Sequence, residues 1–232
     1  MEGFPPFTEE DVNYPESDGL PIADSELQFK WVTRIKHGLE AFFENDENIF
    51  VAADRFWYPV EGRPDIRNAP DVMVVFGRPK GHRYSYRQWR EGGIAPQVVF
   101  EIWSYSNSPG DEKDKLEFYD RYGVEEFYAH DPRSHEQTMD GWLRQEGRLV
   151  KIKEMSGWVS PRLGVRFEYI KDDWNLFYPN GKPFLDYDRL YEMCNAERAA
   201  RKKAQRIAEA ERAAKEAAWA KLRELGIDPE KL

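Results

Sequence analysis

Two carboxylates interrupt stretches that otherwise read as buried strands. Asp71 follows Pro70 and opens the run Val72–Phe76, and Glu101 separates Val98-Val99-Phe100 from Ile102-Trp103. An ionised carboxylate in an apolar interior is costly unless a cation or strong hydrogen-bond donors meet it. Strands that follow one another in sequence usually lie side by side, so both acids can point at one divalent cation. Oxygen-only ligation of that kind suits Mg²⁺ or Mn²⁺, which keep several waters and accept phosphate oxygens as further ligands. Lys115 lies three, four and seven residues before Phe118, Tyr119 and Tyr122, so it shares their inward stripe on a helix. A lysine beside a metal-bound water can orient the nucleophile or steady charge developing on a phosphate. The plainer alternative is structural: Asp71 satisfied by backbone amides and Glu101 paired with Lys115 as a buried ion pair.

A second feature lies between the two acidic strands. Arg78, Lys80, Arg83, Arg87 and Arg90 occur with no acid among them, interleaved with His82, Tyr84, Tyr86 and Trp89. Cations alternating with stacking rings can grip a nucleic-acid backbone and its bases. A surface loop is equally where an acidic protein puts its positive charge.

The elements that must position these residues follow from periodicity. Leu27, Trp31, Ile35, Leu39 and Phe42 form one apolar stripe of a helix from about Asp24 to Asn45, capped by Asp24 or Ser25. Three strands follow, Asn48–Ala53, Asp71–Phe76 and Val98–Ser104, and the last two are apolar at successive positions, which places them in mid-sheet with both faces covered. Asp111 can cap a second helix that ends near Tyr122 at Gly123, and Glu126–Ala129 makes a fourth strand. Beyond Asp131 apolar and polar residues alternate, with Glu146-Gly147 as a hairpin turn, and predict a β-meander. From about Asp186 the composition turns to Ala, Arg, Lys and Glu, which predicts one helix of about 40 residues with a thin apolar seam, either a weak coiled coil or a solvated helix. The expected organisation is an extended arm at 1–23, an α/β domain with a mixed sheet at 24–185, and a charged helical tail at 186–232.

Composition sets the outer limits. The chain has 232 residues, 41% of them hydrophobic and 15% aromatic, enough for one domain with a sizeable core. No apolar run approaches the roughly 18 residues that cross a bilayer, and the N-terminus is acidic and proline-rich; the expected setting is cytoplasmic, with no membrane association. A single cysteine, Cys194, excludes an internal disulfide, and with four histidines it offers no zinc-finger spacing. The net charge of −9, or −11 over residues 1–190, argues against a protein that holds nucleic acid by bulk charge alone.

The order helix, three strands, helix, strand, with Pro70-Asp71, Glu101-Ile102 and a lysine beyond, resembles the restriction-endonuclease-like core of the PD-(D/E)xK nuclease superfamily. The stretches Ala69–Val72, Pro96–Ile102, Lys115–Tyr119 and Tyr122–Tyr128 are similar to the Uma-two family of restriction-endonuclease-like proteins, and the ending Leu222–Pro229 resembles tails seen there. The resemblance implies Mg²⁺- or Mn²⁺-dependent hydrolysis of a DNA phosphodiester, with Asp71 and Glu101 as metal ligands, the Ile102 carbonyl as a third, and Lys115 as catalytic lysine. The superfamily lysine normally sits two residues after the second acid, where this chain has Trp103, so Lys115 would act as a migrated lysine. The resemblance also implies Glu40 as an accessory acid. A homo-oligomer, such as a dimer, fits an enzyme that cuts both strands. The rival class is a non-catalytic binding or scaffold protein on the same fold, self-associating through the C-terminal helix.

Overall fold

Helix α1 (Glu26–Phe42) starts at Ser25, whose hydroxyl accepts the Gln28 N–H at 3.1 Å. The computed structural model describes residues 13–16, 19, 23–133 and 137–226; most of the expected N-terminal arm and Ile227–Pro229 of the tail motif lie outside them. After α1 come β1 (Ile49–Ala53), β2 (Trp57–Tyr58), β3 (Val72–Phe76), β4 (Tyr86–Arg87), β5 (Val98–Ile102), α2 (Pro109–Arg121) and β6 (Glu126–Asp131). Then follow β7 (Thr138–Gln145), β8 (Arg148–Lys151), β9 (Arg166–Ile170), β10 (Asp173–Phe177) and α3 (Tyr187–Glu224). The expected order of helix, three long strands, helix and strand is present, with the two-residue β2 and β4 inserted as a small parallel pair.

The main sheet runs β1-β3-β5-β6-β7-β8 and is mixed: β5 and β6 are parallel, joined by α2, and every other neighbouring pair is antiparallel. The β7–β8 hairpin turns at the expected Glu146 and Gly147, both at positive φ as a two-residue type I′ turn requires; the residue type favours this only at Gly147. The meander divides: β7 and β8 extend the sheet, whereas β9 and β10 form a separate ribbon.

Strand parity sorts the core. Val72, Val74, Val98, Phe100 and Ile102 point to the side covered by Trp31, Val32, Ile35 and Leu39 of α1. Met73, Val75, Val99, Trp103 and Phe127 point to the opposite side, with Tyr119 of α2 and Trp57. That two-sided burial is why β3 and β5 carry apolar residues at successive positions. Ile35 and Leu39 are fully buried, each contributing about 1.5–3 kcal/mol by removal from water. Two of the expected details shift. Leu27 is 44% exposed and Gln28 is buried in its place, because the stripe that meets the sheet runs through Gln28, Trp31, Val32, Ile35 and Leu39. Helix α2 begins at Pro109 and is capped by Ser108; Asp111 serves as the third residue of a capping box, its carboxylate accepting the Ser108 N–H at 2.8 Å.

The chain divides into two compact units, Met1–Phe184 and Leu185–Leu232. The second is built on α3, 38 residues capped by Asp186 with no residue buried. Among the described residues, no helix is long and apolar enough to cross a membrane.

Candidate active site

The β3–β5 ladder pairs Val72 with Phe100 and Met73 with Val99. One step beyond its end, the same register sets Asp71 opposite Glu101, and the period of two gives both side chains the face of Met73, Val99 and Trp103. Helix α2 covers that face and supplies the counter-groups. Lys115 Nζ donates to Glu101 Oε2 at 2.7 Å, and the Tyr119 hydroxyl donates to Oε1. The inward stripe that places Phe118, Tyr119 and Tyr122 against Trp57 is what turns Lys115 toward the sheet.

Asp71 is held by backbone. Its Oδ2 accepts the Ile102 N–H at 2.6 Å, and Oδ1 lies 3.5 Å from the side-chain amide nitrogen of Gln28, which also donates to the Ile102 carbonyl at 3.0 Å. A carboxylate oxygen and a backbone carbonyl therefore converge on one donor from α1. Gln28 is anchored in turn, its Oε1 accepting the Asp24 N–H at 2.8 Å. The Asp24 carboxylate accepts hydrogen bonds from Ser106 and Ser104, which hold its pKa below the usual range and fasten the loop after β5 to the start of α1.

The electrostatics match that crowding. Burial, and then the neighbouring Glu101 charge, push the Asp71 carboxyl well above the usual carboxylate range; Lys115 and the Ile102 N–H only partly offset this. Burial pulls the Lys115 ammonium down, yet Glu101 and Asp71 outweigh it, so the lysine stays charged. Tyr119 is raised well above its ordinary value by burial and by Glu101, so the phenol keeps its proton and acts as a donor. Two buried carboxyls thus face one ammonium, and Asp71 ionises reluctantly without a further positive charge. Its oxygens, those of Glu101 and the Ile102 carbonyl are the hard donors that suit a small divalent cation. Among the described residues no group of three or more His, Cys, Asp or Glu is placed to hold a metal.

Trp103, two residues beyond Glu101, occupies the same face of β5. The Lys115 ammonium lies 5.7 Å from its ring centroid, so the helix delivers a cation over this side chain. The other predicted site residues lie elsewhere. Glu40 pairs with Lys36 at 2.8 Å, one turn away on α1. Arg78 and Arg83 both bind Glu91, at 2.8 and 2.6 Å; Lys80 donates to the Phe43 and Glu44 carbonyls at the end of α1; and Arg87 stacks on Tyr14 at 4.7 Å. Gln28 and Tyr119 are the site residues to which the sequence reading assigned no role. Gln28 carried a signal, being a polar residue three, four and seven positions before Trp31, Val32 and Ile35.

Residues 6–169 match the model of the family described as "Uma2: Putative restriction endonuclease", which spans well over half of the chain. The chain belongs to the Uma2 family. Among solved structures it is similar to a crystal structure described as "a putative nuclease belonging to DUF820" from Anabaena variabilis, at 14% identity and a TM-score of 0.46, covering 67% of this chain and 89% of that one. No curated protein matches it. In this Uma2 member the matched span includes Gln28, Asp71, Glu101, Ile102, Lys115 and Tyr119 of the polar cluster.

Proposed function

We propose that this protein is a divalent-cation-dependent endonuclease that hydrolyses DNA phosphodiester bonds. The observation that carries the reading is the juxtaposition of Asp71 and Glu101: two buried carboxyls one step beyond the paired end of the β3–β5 ladder, with Lys115 as their shared cation. Membership of a family described as restriction endonucleases supports the reaction class.

In this reading Asp71, Glu101 and the Ile102 carbonyl would hold Mg²⁺ or Mn²⁺. The ion supplies Lewis acidity toward a phosphate oxygen and lowers the pKa of a bound water. The chain's own residues do the rest. The Ile102 N–H and Gln28 amide fix the Asp71 carboxyl, and Tyr119 fixes Glu101 from the opposite side. Lys115, by exchanging its Glu101 contact for a phosphate oxygen, would steady the negative charge that builds up as water's oxygen bonds to phosphorus and the ester oxygen leaves. Burial of both acids raises the worth of these interactions by excluding water.

The rival reading, a non-catalytic module, is favoured by one observation: both Glu101 oxygens already have donors within the chain. Incubation of supercoiled plasmid with the protein and Mn²⁺ separates the two. Nicking that disappears in Asp71→Asn and Lys115→Met supports the nuclease; plasmid left supercoiled by the wild type supports the module.

A further inference from the structure

Strand β1 is an edge of the main sheet, paired only with β3 among the described residues. Beside it lies a groove of about 590 Å³ between the outer face of α1 and the segment around residues 80–83. Its floor is apolar, with Ile49, Val51 and Phe50, and Phe29 stands at its wall with 51% of its surface exposed. Lys36, Arg55, Lys80 and Arg83 line it with two acids, Glu40 and Glu44; Lys36 pairs with Glu40 at 2.8 Å and Arg83 with Glu91 at 2.6 Å, so the lining carries a small excess of positive charge on a chain whose net charge is −9.

One end of this groove abuts the polar cluster. Phe29 directly follows Gln28, whose amide contacts Asp71. On the opposite wall, Asp54 lies between Ala53 and Arg55 of the lining and donates its N–H to the Pro70 and Asp71 carbonyls, at 3.1 and 3.3 Å. The groove therefore ends next to the Asp71 backbone, at the margin of the polar cluster.

We infer that the groove holds a single nucleic-acid strand leading to the bond that is cut. This rests on the nuclease reading and names a substrate-binding surface for it. An apolar floor with an exposed ring suits base stacking, and cations on both walls suit backbone phosphates; together these are the features of single-strand recognition. The site would take phosphodiester charge through Lys36 on α1, in exchange for its surface contact with Glu40, and through Arg55 beyond β1, while Phe29 supplies a stacking face. Lys80 and Arg83 shape the far wall, the first by capping α1 and the second by lying over the Phe50 ring at 4.1 Å.

The test uses the full chain in EDTA, where no hydrolysis proceeds, and fluorescence anisotropy of a labelled oligothymidylate of about 12 nucleotides. Lys36→Gln/Arg55→Gln is expected to weaken binding at least tenfold and to lower the slope of log Kd against log salt by about 1.4, the release of two phosphate contacts on a single strand. Phe29→Ala is expected to weaken it about fivefold with the slope unchanged. Equal binding by wild type and double variant overturns the inference and leaves the nuclease reading standing. An oligonucleotide that the wild type does not bind also overturns it, and the plasmid assay then reports separately on the nuclease. Loss of a concentration-dependent dimer in the double variant, read by sedimentation, overturns it in favour of a second copy of the chain as occupant.

Discussion

Lys115 and Glu101, fourteen residues apart, meet at 2.7 Å across the packing of α2 on β5. Glu101 is fully buried, the lysine side chain is 23% exposed, and among the described residues the ammonium is the cation paired with this acid. Lys115→Met is expected to lower stability in EDTA by about 3 kcal/mol or more, because it leaves a buried carboxylate uncompensated. Urea denaturation with and without Mn²⁺ checks this; the cation should recover part of the loss.

Asp71 makes the opposite prediction. Its folded pKa is raised by burial and by Glu101, while its ordinary value is 3.8. The neutral form is the one the fold prefers, so its stabilising effect is complete below pH 3.8 and is lost as pH rises toward the folded pKa. Asp71→Asn keeps an oxygen for the Ile102 N–H and removes the charge. Metal-free Asp71→Asn should therefore melt above wild type at pH 8, and the two curves should converge on acidification.

His130 gives the acid limb. It is buried against Trp31, with ring centroids 4.2 Å apart; Nδ1 faces the Thr138 carbonyl at 2.9 Å, and Nε2 has no hydrogen-bond partner among the described residues. Burial lowers its pKa from 6.5 to about 4. The neutral ring is favoured in the fold, so its contribution is fully present above pH 6.5 and falls away as pH drops to about 4, a loss of about 3 kcal/mol. Comparing the pH dependence of unfolding free energy in wild type and His130→Phe isolates it; the variant should lack this slope.

Gly38 sets how closely α1 lies on the rest of its unit. A Cβ there would stand 2.3 Å from the Phe184 ring, itself fully buried. Gly38→Ala should cost about 1–3 kcal/mol by overpacking, measured by thermal unfolding. Because α1 also carries Gln28, the same variant should loosen the Asp71 site and reduce any melting shift produced by Mn²⁺.

The carboxyl pair was legible because a strand has a period of two: once Val72–Phe76 and Val98–Ile102 were read as adjacent buried strands, acids at their ends had few places to point. Lys115 was legible from the spacing of Phe118, Tyr119 and Tyr122. Gln28 was hidden because Leu27 offered an equally regular apolar stripe one residue away, and only packing on the sheet decides between two faces that differ by one position. The basic segment was read as ending at Arg90, one residue short of Glu91, which binds two of its arginines. Which carboxylate a surface arginine chooses is a tertiary matter with no periodic signal. The groove along β1 is likewise made by α1 and a loop far apart in sequence, and nothing local announces it.

If Asp71 and Glu101 together trap one divalent ion, titration of the protein with Mn²⁺, followed by the electron paramagnetic resonance signal of the unbound ion, measures it directly. One saturable site is expected, abolished by Asp71→Asn and by Glu101→Gln while both variants remain folded. A wild-type protein that leaves the Mn²⁺ signal undiminished, or variants that bind as tightly as wild type, would contradict it.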